Sequence, residues 1–206
     1  MTKTTLPTGQ SSTDQEFIAA PSISELEIFI RDVNFGPGIL GKYKCGLVLQ
    51  ETGFIDVSEF ESGPIAHARY HVITSKADEF RPSFASFGAW TMPRGCYFKV
   101  VDVLSEGDHV LISLLHIPEA GIPYYALNTH AGEEEIVANS RRRFRRELIQ
   151  PPNPALVDEY WLRRTAFPLG IADDGSYFFQ FDYGKKPRMD PFYKCKGLFR
   201  KWFAKS

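Results

Sequence analysis

Two long apolar runs, residues 97–104 and 109–117, flank Ser105-Glu106-Gly107-Asp108. Gly and Asp supply the chemistry of a tight turn, so the runs read as the arms of a β-hairpin. Both arms are apolar on both faces, a pattern that suits strands covered on two sides. The hairpin is therefore expected inside a sheet, with a further layer on each face. A chain of 206 residues can bury such a core without a disulfide or a structural metal. Cys45, Cys96 and Cys195 are odd in number, far apart and in no C-x-x-C pair, which predicts reduced thiols in a cytoplasmic setting.

Around this hairpin the periodicity changes once. Leu26, Ile28 and Ile30 alternate with Glu25, Glu27, Phe29 and Arg31 as in a half-buried strand, and residues 43–50 read as a second strand joined to it by a hairpin-like turn at Asn34-Phe35-Gly36-Pro37-Gly38. Residues 68–75, 122–129 and 176–183 read as further strands. Residues 132–150 read as a helix, because Glu133, Glu134 and Glu135 come first and five arginines later, the order a helix macrodipole favours. Asn153-Pro154 opens a second helix extending to about Thr165. Strands first and helices later predict an α+β fold, with an antiparallel or mixed sheet of about six to eight strands and two or three flanking helices in the C-terminal half. Residues 1–22 read as a flexible polar arm, 23–184 as a single domain, and 185–206 as a basic aromatic tail or docked helix. No stretch has the length of a signal peptide's apolar region or a membrane span.

Charge is divided unevenly. Residues 1–140 carry 9 Lys+Arg and 18 Asp+Glu, and residues 141–206 carry 15 and 7, giving −9 and +8. Arg141, Arg142, Arg143, Arg145 and Arg146 form the densest basic run, and a helix would spread them over most azimuths. The tail adds Lys185, Lys186, Lys194, Lys196, Arg200 and Lys201, interleaved with Phe192, Phe199 and Trp202, which suits stacking on bases or seating in a membrane interface. The opposing reading is that the two halves neutralise each other within the fold.

Catalytic motifs are weak. Gly36-Pro37-Gly38-Ile39-Leu40-Gly41 matches G-x-G-x-x-G, but the segment after it looks extended rather than helical and no βαβ alternation follows, so a dinucleotide site is rejected. His67 and His71 lie four apart, roughly 13 Å along a strand and too far to share an ion. Asp56, Glu59 and Glu61 read as a solvated acidic loop rather than a cation site. There is no G-x-S-x-G elbow, and Cys96 reads as inert.

The expectation is thus a non-catalytic binding protein, without metal or cofactor, whose basic C-terminal third contacts nucleic acid ahead of an anionic membrane. Two alternatives stand beside it. One is a protein-binding inhibitor or neutralising partner that uses the acidic half through Asp56, Glu59 and Glu61. The other is an enzyme whose site is assembled in space around His71, His109 or His116.

Overall fold

The computed structural model describes residues 25–129, 132–179 and 181. Their centre is one mixed sheet of eight strands: β1 (Glu27–Val33), β2 (Val48–Gln50), β3 (Ile55–Ser58), β4 (Ala68–Thr74), β5 (Arg81–Phe84), β6 (Ala89–Met92), β7 (Tyr97–Glu106) and β8 (His109–Ile117). The order across the sheet is β2-β7-β8-β4-β1-β3-β6-β5. Four helices accompany it: α1 (Pro37–Leu40), α2 (Ile122–Leu127), α3 (Glu133–Leu148) and α4 (Glu159–Thr165). The expected α+β class, the mixed sheet of up to eight strands and the helices gathered toward the C-terminal half are all present. Among the described residues no helix is long and apolar enough to cross a membrane.

The predicted hairpin forms with Glu106 paired to His109 across Gly107 and Asp108. β4 then runs parallel to β8, the one parallel pairing among the described strands. On one face Phe29, Tyr70, Val72, Phe98, Ile112 and Leu114 form the larger core, to which Leu169 and Ile171 are added from the chain after α4. On the other face Ile73, Val101 and Leu115 pack with residues of α2 and α3, and Ile30 packs with Trp161 of α4.

A register shift between Val100 and Asp102 inserts one extra residue into β7. Such a bulge reverses the alternation of faces. Asp102 consequently sits opposite Ser113 on the α3 face, where it meets Arg141.

Several local expectations are corrected. β1 is covered on both sides, since Phe29 and Ile30 are equally buried, rather than half-buried. β2 is only three residues long and pairs with β7 at the sheet edge, so the chain between β1 and β2 is no hairpin. The glycine-rich loop holds the single helical turn α1, too short to present a dinucleotide with a helix N-terminus.

Residues 122–127 are helix, not strand, because Pro123 occupies the first turn, where its missing N–H leaves no bond unmade. Asn153 does cap a helical turn, accepting from the Ala155 N–H, but that turn is 3-10 and ends at Val157. Asp158 then caps α4 separately through the Tyr160 N–H. In place of a strand over 176–183, the described residues show an isolated bridge between Ile171 and Tyr177.

Candidate functional site

The face of β4 turned toward α3 carries Arg69 and His71, both fully buried. Arg69 donates from Nε and Nη2 to the two oxygens of Asp32 at 2.7 Å each, and from Nη1 to Glu147 at 3.0 Å. Its remaining donors meet the carbonyls of Ser62 and Gly63. α3 supplies Ser140 and Glu147 because its buried stripe is Ile136, Ser140, Phe144 and Glu147, one helical face. His71 lies 2.9 Å from Ser140 Oγ through Nδ1 and 2.9 Å from Glu147 Oε2 through Nε2, and Ser140 lies 2.7 Å from Ser113 Oγ.

The proton positions follow from what each group can accept. Two arginines and His71 surround Glu147, and they outweigh burial to hold its pKa down to about 2. As a carboxylate it only accepts, so His71 carries its proton on Nε2 and accepts at Nδ1 from Ser140. Burial meanwhile pushes the His71 pKa below its ordinary value and favours the neutral ring. A serine, a histidine and a glutamate in line have the order of a hydrolytic triad. None of the three has exposed surface, so substrate has no access and the cluster serves to lock α3 onto the sheet.

His116 is placed differently. It points to the opposite face of the sheet, against Phe80 and Phe98, and lines a cleft of about 270 Å³ with Lys76, Glu79, Arg94, Cys96 and Tyr97. The cleft opens where β4 and β8 both end, since Thr74 is the last residue of β4 and His116 the penultimate residue of β8. Carboxyl ends of parallel strands are a recurrent place for ligands.

Thr74 Oγ1 accepts from the Lys76 N–H and lies 3.0 Å from His116 Nδ1. Thr74 is wholly buried, so its own proton has one acceptor to go to, His116 Nδ1. The proton of the ring is then on Nε2, which is neither sealed from solvent nor bonded within the described residues. Burial lowers the His116 pKa to about 4, against the opposing charge of Glu79, and the ring is neutral at pH 7. In a histidine NMR titration the assigned His116 ring is therefore expected to hold its neutral shifts until the pH falls to about 4; its protonation near 6.5 would contradict this burial.

Cys96 lies in the same cleft, but its thiol donates to the Pro93 carbonyl, and burial raises its pKa to about 11. That leaves it a poor nucleophile at neutral pH. His109 bonds the Ala66 carbonyl at the other end of β8. The three histidines do not converge; His116 alone of them lines this cleft.

The arginines of α3 are already matched. Arg141 makes a bidentate pair with Asp102, Arg143 bonds Glu147 and the Ile28 carbonyl, Arg145 bonds Glu106, and Arg146 bonds Glu61. Arg142 donates to Asn139. Four of these five side chains thus reach carboxylates, three of the partners coming from the acidic half of the chain. Asp56 is likewise taken, by Arg164 and Thr91, while Glu59 accepts from Trp90. Sequence spacing reveals only the pairs within α3, Arg143 with Glu147 and Arg142 with Asn139. Lys185, Lys186, Lys194, Lys196, Arg200, Lys201, Phe192, Phe199 and Trp202 lie outside the described residues.

Scanned against protein-family models the sequence matches none, and no curated protein matches it. Solved structures match over part of the chain. ADP-ribosyltransferase HopU1 of Pseudomonas syringae pv. tomato DC3000 is 12% identical with a TM-score of 0.39, covering 45% of this chain and 46% of that one. Vis toxin, an ADP-ribosyltransferase from Vibrio splendidus, is 13% identical with a TM-score of 0.32, covering 47% and 49%. C3larvin toxin, an ADP-ribosyltransferase from Paenibacillus larvae, is 12% identical with a TM-score of 0.37, covering 48% and 64%. The chain thus spans about half the length of the first two and less than two thirds of the third, and no site residue is carried over from any of them. Four of the five arginines of α3 are already held by carboxylates of this chain, which overturns the expectation of a non-catalytic protein that grips nucleic acid through this run.

Proposed function

We propose that the chain is an enzyme whose catalytic cleft lies at the carboxyl ends of β4 and β8, with His116 donating from Nε2 to a substrate oxygen. The observation that carries this reading is the placement of the ring: Thr74 Oγ1, bonded in turn to the Lys76 backbone, lies 3.0 Å from His116 Nδ1, which orients the ring at the cleft and leaves Nε2 as its free edge. A neutral imidazole held in this way polarises an oxygen without itself changing charge. Arg94 adds positive charge to the lining, Lys76 and Glu79 enter it as an ion pair at 2.6 Å, and Glu119 adds a further carboxylate. Such a donor set suits reactions that build negative charge on oxygen, that is, transfer of an acyl, phosphoryl or glycosyl group to water or another acceptor.

The test compares the full chain with His116→Phe on nitrophenyl acetate, nitrophenyl phosphate and NAD⁺. ADP-ribosyl transfer, the activity of the enzymes named above, enters through nicotinamide release from NAD⁺ as one arm. Loss of the donor is expected to cut turnover by about 10²–10³-fold on whichever substrate is used, with the melting temperature measured alongside. Equal turnover by the two proteins would remove His116 from the chemistry.

A further inference from the structure

Two arginines are buried on adjacent strands of this sheet, one on each face, and they are treated very differently. Arg69 on β4 has Asp32 bidentate and Glu147 besides. Arg31 on β1, opposite Tyr70 in register, is 4% exposed and has no carboxylate within ion-pair distance among the described residues. Its Nη2 donates to the Phe167 carbonyl at 2.9 Å, its Nη1 makes a long 3.4 Å contact with the Asp56 carbonyl, and its Nε has no partner among the described residues. The Asp56 carboxylate is turned away toward Arg164 and Thr91, and Glu51 spends its oxygens on the Gly53 and Gly170 N–H groups. Burying a cation whose nearby carboxylates, Glu51 and Asp56, are both turned to other partners is costly, and a guanidinium with an idle Nε beside Nη2 presents the two-pronged edge that receives an oxyanion.

The contact Arg31 makes outside the sheet is with the Phe167 carbonyl, at the start of a short stretch of backbone, residues 167–170. Side chains projecting from the rest of the fold hold it, as they would hold a bound peptide. The Leu169 N–H donates to Tyr70 Oη, Tyr70 donates to Tyr43 Oη at 2.6 Å, and Tyr43 donates back to the Leu169 carbonyl at 2.8 Å. Glu51 takes the Gly170 N–H, and Gly170 turns the chain at φ +74°, where a Cβ would stand 2.5 Å from Leu49. The Leu169 side chain is buried, whereas Phe167 is 59% exposed, so the end of the stretch over Arg31 has little apolar anchorage.

We propose that Arg31 anchors a binding site for the phosphate or carboxylate group of a small ligand, and that residues 167–170 are a strap occupying this site in cis, the Phe167 carbonyl standing where the oxyanion binds. The ligand takes over Nη2 and the idle Nε, and the strap lifts from its Phe167 end through Gly170. Tyr70 and Thr74 are four residues apart on β4, roughly 13 Å, so this site is separate from the His116 cleft and stands whether or not that reading holds.

The experiment titrates pyrophosphate and succinate into the full chain, Tyr43→Phe and Arg31→Met, and follows amide hydrogen exchange at Leu169 and Gly170. Tyr43→Phe removes one bond from the strap and keeps the ring that stacks on Phe35. It is expected to bind one of the two probes about five- to ten-fold more tightly than the native chain, the worth of one hydrogen bond. Arg31→Met is expected to bind neither. In the native chain the bound probe should speed exchange at Leu169 and Gly170, a readout that needs no variant to fold. Binding to pyrophosphate alone or succinate alone supports the site and names its ligand class. No binding by either the native chain or Tyr43→Phe at millimolar probe, binding that survives Arg31→Met, or binding that leaves exchange unchanged would each overturn the proposal.

Discussion

Glu147→Ala is expected to cost about 3–5 kcal/mol of stability at pH 7, the range found when one member of a buried charge cluster is removed. The carboxylate accepts from Arg69, His71 and Arg143, and all of its side chain is buried. Without it Arg69 keeps Asp32 and two carbonyls, but His71 loses the acceptor for its Nε2 proton and Arg143 keeps the Ile28 carbonyl as its nearest partner. α3 loses its last inward contact, at the penultimate residue of the helix. Urea denaturation of both proteins gives the difference.

The same pair of proteins carries a pH signature. Glu147 has a folded pKa of about 2, below the ordinary 4.5, so its stabilisation is complete above 4.5 and lost as the pH falls toward 2. His71 is pushed below 6.5 by burial, so the unfolded chain takes up a proton that the folded chain refuses, and stability falls as the pH drops below 6.5. Both effects make acid destabilising. The gap between native protein and Glu147→Ala should therefore narrow between pH 4.5 and 2. A gap that stays constant over that interval would mean that Glu147 is not held ionised by its neighbours.

This cluster shows why parts of the molecule are legible in the sequence and others are not. The β7–β8 hairpin and α3 are legible because their evidence is local: two apolar runs around a Gly-Asp turn, and glutamates followed by arginines along one helix. Short strands leave too little pattern, and so β3, β5 and β6, four residues each, go unseen. Residues 122–127 mislead because Ile-Pro-Tyr-Tyr-Ala-Leu has strand-like composition, while the position of its proline favours a helix start.

Pairings across the chain leave no local trace at all. His71 is 69 residues from Ser140 and 76 from Glu147, and Arg31 is 136 residues from Phe167. The run of arginines looks like a surface for anions when read alone. Its charges are cancelled by Asp102, Glu106, Glu61 and Glu147, and the bulge in β7 that aims Asp102 at Arg141 cannot be read from residue types. His116 stands out only once parallel pairing has brought the ends of β4 and β8 together.

Trp161→Ala is expected to have an effect of similar size, about 3–5 kcal/mol, by opening a cavity that a large buried ring had filled. Trp161 is 1% exposed; it packs with Ile30, Ala89 and Leu156, and its ring centroid lies 5.5 Å from that of Phe87. It is the main apolar anchor of α4, a helix of seven residues that is too short to persist without packing. Arg164, three residues on, ties the same helix to Asp56, and the chain then runs directly into the stretch over Arg31. Loss of the indole should therefore lower the urea midpoint and also raise amide exchange at Leu169 and Gly170 more than at the strands of the β7–β8 hairpin. If the midpoint falls but exchange at Leu169 and Gly170 rises no more than in the hairpin, α4 does not position the strap, and Tyr43, Tyr70 and Glu51 hold it by themselves.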